Sequence, residues 1–133
     1  MASIGTVVRN TAPLFLAGQG TRRAAMCEFD FAIGATGAVG TGTNVPGDIT
    51  LTRTAAGAYT LNIPSCKRAS TQSIAVEGND PVAAADRRHV FVGLKNGPAG
   101  TIKFLVVPVA GTGTGSDPVS GSKIHFTVTL DWT

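Results

Sequence analysis

The sequence predicts an all-β fold, an antiparallel β-sandwich of jelly-roll-like form with an extended N-terminal arm. Three observations predict it. Apolar and polar residues alternate with a period of two along several short stretches, as strands with one buried face require. Turn formers punctuate those stretches, with Gly at 17 of 133 positions. Glu occurs only twice, and Gly, Thr and Val are poor helix formers, so no convincing helix competes.

Residues 1–25 form the arm and residues 26–133 the sandwich domain. In the arm, Ile4, Val7 and Val8 are scattered. The apolar group Leu14-Phe15-Leu16 follows Pro13 and precedes Gly18-Gln19-Gly20. No period fits this stretch. Its apolar patch, flanked by Arg9, Arg22 and Arg23, needs a surface to lie on, either its own domain or a neighbour. Those six residues, Arg9, Leu14, Phe15, Leu16, Arg22 and Arg23, are the candidate protein interface.

The period of two begins with Cys27, Phe29, Phe31 and Ile33 on one face, against Glu28, Asp30 and Ala32 on the other. Gly34 to Gly47 reads as a mobile Gly/Thr-rich loop. Ile49 and Leu51, then Tyr59, Leu61 and Ile63, alternate with Thr and Asn. Thr54-Ala55-Ala56-Gly57 connects the two runs as a hairpin, with Gly57 available for positive φ. Ser73 to Glu77 is a short strand ended by Asn79-Asp80-Pro81, and Ala83 to Arg87 makes at most one helical turn. His89 to Lys95 and Thr101 to Val109 are strands. The unbroken apolar run Phe104 to Val107 predicts cover on both faces of the second. Gly111 to Pro118 reads as an exposed, flexible loop. In the final strand Ile124, Phe126, Val128, Leu130 and Trp132 face one way, against Lys123, His125, Thr127, Thr129 and Asp131.

Charge and chemistry narrow the function classes. Charged residues make up 14%, below the ~25% of an ordinary soluble domain. The net charge is +3, but the basic residues that cluster do so in three separated pairs, Arg22-Arg23, Lys67-Arg68 and Arg87-Arg88, with no aromatic stacking platform among them. They read as solvated loop ends, or as partners for carboxylates on another protein, and no nucleic acid is expected. No apolar run approaches the ~18 residues of a membrane span. The N-terminus lacks a secretion signal, so synthesis in a cytoplasm is the expectation.

Cys27 and Cys66 lack metal-ligand spacing and read as two free thiols rather than a disulfide. His89 and His125 read as strand histidines. No Gly-x-Ser-x-Gly elbow or Walker loop is present, and Asp117 is the lone acid in its loop, too few ligands for calcium. The expectation is therefore no enzyme, no cofactor and no metal.

Two segments carry a resemblance. Arg53-Thr54-Ala55-Ala56-Gly57-Ala58-Tyr59-Thr60-Leu61 follows R-T-x-x-G-x-Y-T-L, and Ser116 to Ile124 follows S-D-P-x-S-G-S-x-I. Both are similar to segments of small β-sandwich proteins of tailed-bacteriophage virions: capsid decoration (cement) proteins, and the jelly-roll tips of fibres. The resemblance implies a module that is a homotrimer or otherwise symmetric, bound through the major capsid protein to the outside of an icosahedral shell. Fibre tips follow a stalk that this sequence lacks, which favours the decoration reading. A receptor- or carbohydrate-binding fibre module and a small coat protein like those of RNA phages are the alternatives.

Overall fold

The structure is a computed structural model that describes residues 24–63, 68–78, 87–96, 100–110 and 113–131. Among these residues are eight strands: β1 (Ala24–Ile33), β2 (Val39–Thr43), β3 (Thr50–Ala55), β4 (Ala58–Asn62), β5 (Arg68–Glu77), β6 (Arg88–Asn96), β7 (Thr101–Pro108) and β8 (Lys123–Asp131). They make two four-stranded sheets, ordered β2-β1-β8-β5 and β3-β4-β7-β6, in which every pairing is antiparallel. The sandwich is all-β as the alternation requires. Its pairings are nested: β1 takes β8, β4 takes β7, and β5 adjoins β6 where the sheets meet at one edge. Consecutive hairpins β1–β2, β3–β4 and β6–β7 supply the remaining neighbours, with β5 added beside β8.

The core lies where the alternation places it. Cys27, Phe29, Phe31 and Ile33 from β1 meet Ile124, Phe126, Val128 and Leu130 from β8, and all eight are buried. Tyr59 and Leu61 of β4, with Ile102, Phe104 and Val106 of β7, supply the opposing sheet. Aromatic rings cross the interface in sequence. Phe29 stacks on Phe126 at 5.2 Å, Phe126 meets Phe104 edge-on at 5.6 Å, and Phe104 stacks on Tyr59 at 5.7 Å. Such pairs add about 0.5–1.5 kcal/mol each beyond the area they bury.

The Thr54–Gly57 hairpin forms as expected. Gly57 has φ +71°, and a Cβ there would lie 2.4 Å from Ser116 N and Val106 O. Four other expectations need correction. Gly34 to Gly47 is not simply a loop: it holds a 3-10 turn at Ala35–Gly37 and the whole of β2. Thr and Gly hide this strand because an edge strand with few buried side chains is held by main-chain bonds to β1 instead. Gly42 sits so close to Val45 and the Phe31 ring that a Cβ would collide. β5 begins at Arg68, five residues before the expected Ser73, because polar Ser70 and Thr71 pair with β8 as readily as apolar residues would. Cover on the outer face of β7 is partial: Val107 is buried, Leu105 half-buried and Lys103 exposed. The segment from Gly113 to Pro118 is not a flexible loop throughout, for reasons given below.

The strand β1 starts at Ala24, so pairing reaches just into the stretch assigned to the arm. The remainder of the arm, Asn79-Asp80-Pro81, the helical turn at Ala83 and Trp132 lie outside the described residues.

Candidate functional site

A polar cluster gathers around Asp117, where the β3–β4 turn meets the segment leading into β8. Three elements converge there: the turn through Gly57, the 3-10 turn at Gly37, and the stretch Gly115–Pro118. The Asp117 carboxylate accepts a bidentate pair from Arg53, Nε to Oδ1 at 2.9 Å and Nη2 to Oδ2 at 2.7 Å. Oδ1 also accepts the Gly57 amide at 2.8 Å. The Tyr59 hydroxyl lies 3.1 Å from both Asp117 Oδ1 and the Gly37 carbonyl, and its single proton serves one of them at a time. Arg88 Nε donates to the Asp117 main-chain carbonyl at 3.1 Å.

The loop around this carboxylate is stitched down. Ser116 N–H donates to Val106 O, Gly121 N–H to Ile33 O, and Ile33 N–H to Ser122 O. Pro118 and Ser122 are buried, and only Gly113 and Thr114 are exposed within 113–118. A flexible loop was expected because the composition is Gly, Thr and Ser. One carboxylate with several donors overrides that composition.

Electrostatics define what the cluster can do. The Arg53 guanidinium holds the Asp117 carboxyl below its ordinary range against an opposing push from burial, and the Gly57 amide and the Tyr59 hydroxyl add smaller pulls in the same direction as Arg53. Burial, and then the neighbouring Asp117 charge, push the Tyr59 phenol well above its ordinary value. Asp117 is thus ionised and Tyr59 neutral at physiological pH, so neither is poised for proton transfer near neutrality. Each carboxylate oxygen is already engaged. The arrangement clamps three chain segments together. Sequence inspection gave Asp117 no role, and the signal that could have found it is the coincidence of the two motifs. Arg53, Gly57 and Tyr59 come from the first and Asp117 from the second, and the fold joins them.

The structure separates the remaining candidates. Arg9, Leu14, Phe15, Leu16, Arg22 and Arg23 lie outside the described residues, as do Cys66 and Lys67. Arg87 is exposed, but Arg88 is half-buried and committed to Asp117 and to the Arg87 carbonyl, so this pair is not two solvated charges. Cys27 is a free, buried thiol whose pKa burial pushes up to about 11. His89 is exposed on β6, while half-buried His125 faces outward on β8, opposite Asp30. Among the described residues no group of three or more His, Cys, Asp or Glu is arranged to hold a metal ion. No described helix is long and apolar enough to cross a membrane. No protein-family model, curated protein or solved structure matches the chain.

Proposed function

We propose that this chain is a structural virion protein that binds and stabilises the outside of a phage capsid as a decoration, or cement, protein. The observation that supports this reading is the union of the two phage-like segments in one clamp. Arg53, Gly57 and Tyr59 of the first hold Asp117 of the second, so the residues behind the resemblance act together as a single structural device. A clamp of saturated hydrogen bonds over an aromatic core makes a rigid module, which suits a protein that reinforces a shell and performs no chemistry. The major capsid protein is the partner, and attachment is multivalent through symmetric copies, which raises affinity without new contacts. The arm contributes through Leu14, Phe15 and Leu16, with Arg9, Arg22 and Arg23 orienting it against carboxylates on the shell.

The test removes residues 1–23 and measures both folding and binding to undecorated capsids. Intact protein binds saturably, and the truncated protein folds but binds at least tenfold more weakly. Unchanged affinity after truncation contradicts the role of the arm. Failure of the intact protein to bind any capsid contradicts the functional reading itself.

A further inference from the structure

The two sheets turn outer faces of unlike charge to solvent. On the β2-β1-β8-β5 sheet, Glu28, Asp30 and Glu77 alternate with core residues and so point outward. Lys123 is the lysine on that face, and the register sets it opposite Glu77. The β3-β4-β7-β6 sheet carries no Asp or Glu in any of its four strands. Its arginines are engaged at the Asp117 clamp, Arg53 through the carboxylate and Arg88 through the main-chain carbonyl. Lys103 differs from them. It is exposed on the outer face of β7, opposite Thr60, with no acid in either adjoining strand.

Apolar residues gather beside that charge. The register aligns Phe91, Leu105 and Ala58 as one row across β6, β7 and β4, next to the row that holds Lys103 and Thr60. Phe91 is 59% exposed. A β-carbon at Gly93, two residues further along the strand, would meet nothing nearer than Lys103 O at 3.7 Å, which leaves an opening beside the ring. These residues line a shallow, mostly apolar groove of about 350 Å³ on the outer face of the sheet, with the Lys103 ammonium at its border.

We propose that this outer face is a docking surface for an acidic protein segment that presents one apolar side chain beside a carboxylate. The side chain lies against Phe91 and Leu105 over Gly93, and the carboxylate meets Lys103. The charge pattern selects this occupant. An acidic segment is favoured at the acid-free sheet and repelled by Glu28 and Asp30 on the other, so one face of the sandwich is turned to the partner. A purely apolar partner would cover a lysine without supplying its counter-charge. A nucleic acid calls for several cations along its backbone, whereas the arginines of this sheet are already engaged at Asp117. Assigning the segment to the major capsid protein rests on the decoration reading, and the face then marks where the folded domain, as distinct from the arm, meets the shell. One side chain and one exposed ion pair make a weak contact, so it holds when symmetric copies bind together.

The test has two arms, the first without capsids. Amide NMR shifts of the full chain are followed as an acetylated Glu-Leu-Leu-Glu peptide is added to about 10 mM, the range in which so small a contact registers. Shifts centre on His89 to Gly93 and Lys103 to Leu105, and a Lys-Leu-Leu-Lys peptide binds at least fivefold more weakly. Lys103→Met, which keeps the apolar stem, abolishes that preference, and Phe91→Thr weakens both peptides. Glu28→Lys on the opposite face binds like the wild type, and all three variants keep the wild-type melting temperature. In the second arm Phe91→Thr and Lys103→Glu bind undecorated capsids at least fivefold more weakly than the wild type. Equal binding of the two peptides, shifts centred elsewhere, or an oligothymidylate that binds this face more tightly than the acidic peptide overturns the proposal. Capsids bound equally by the wild type and both variants overturn the docking face and leave the decoration reading standing. A wild type that prefers the acidic peptide at this face but binds no capsid supports the face and removes the decoration reading.

Discussion

Strands β8 and β6 are each nine residues long and each carry several apolar side chains, yet they end in opposite roles. β8 lies between β1 and β5, and its Ile124, Phe126, Val128 and Leu130 are fully buried. Among the described residues β6 is hydrogen-bonded as a strand on one side only, to β7, and its Phe91 points outward at 59% exposure. The difference lies in position. A strand bonded on both sides commits its apolar face to the core, whereas an edge strand can place a large ring on the wet face and leave both ring and backbone open to a partner. Composition alone does not separate the two.

The largest expected effect breaks this comparison if it fails. Phe126→Ala removes a ring stacked on Phe29 and touching Phe104, and thermal unfolding should show a loss of about 3–5 kcal/mol. Phe91→Ala should change stability by no more than about 0.5 kcal/mol, because the ring is 59% exposed. Comparable losses in the two variants would mean that the faces have been assigned wrongly.

Gly57→Ala comes next. It forces a β-carbon into a φ of +71° and against Ser116 N and Val106 O, backbone atoms that cannot rotate aside. Chemical denaturation should report a loss of about 2 kcal/mol. A stability equal to the wild type would show that the turn relaxes and that the clamp tolerates movement.

Asp117→Asn should cost about 1–2 kcal/mol at neutral pH, the scale of charge-assisted hydrogen bonds discounted for the exposure of Arg53. The pH dependence carries the sharper reading. The folded Asp117 pKa lies below its unfolded value, so its contribution is fully present above the unfolded pKa of about 3.9 and fades as pH falls through the folded value. The wild type should therefore lose more stability than Asp117→Asn between neutral pH and the acid range. Parallel acid profiles for the two proteins would remove Asp117 from the account.

The smallest effect concerns Cys27. With a pKa near 11 and a buried sulfur, it presents almost no accessible thiolate at neutral pH. A maleimide should modify it only on unfolding, as read by mass spectrometry of a peptide containing Cys27. Rapid modification of the native protein would contradict its place on the inner face of β1.

Much of the fold was legible because a buried face imposes a period of two that the residues must obey. Cys27 to Ile33, Tyr59 to Ile63 and Ile124 to Leu130 show it plainly, and their assignments hold. What was hidden shares one cause. β2 and the first half of β5 are edge pairings made through the backbone, and Thr, Ser and Gly there carry no apolar signature. The Asp117 clamp was hidden differently. It depends on a contact between residues 64 positions apart, and no local pattern announces which arginine a lone aspartate will meet. Phe91 illustrates the converse limit: the apolar stretch closed by Asn96-Gly97-Pro98 placed it on a strand, but only the sheet order reveals that the strand is an edge.

Hydrogen exchange of the β8 and β6 amides in one sample tests the contrast most directly. The account predicts that β8, bonded on both sides, exchanges only through global unfolding. The β6 amides from His89 to Val92 should include a faster-exchanging set, those not bonded to β7. Equal protection of every β6 and β8 amide would contradict it.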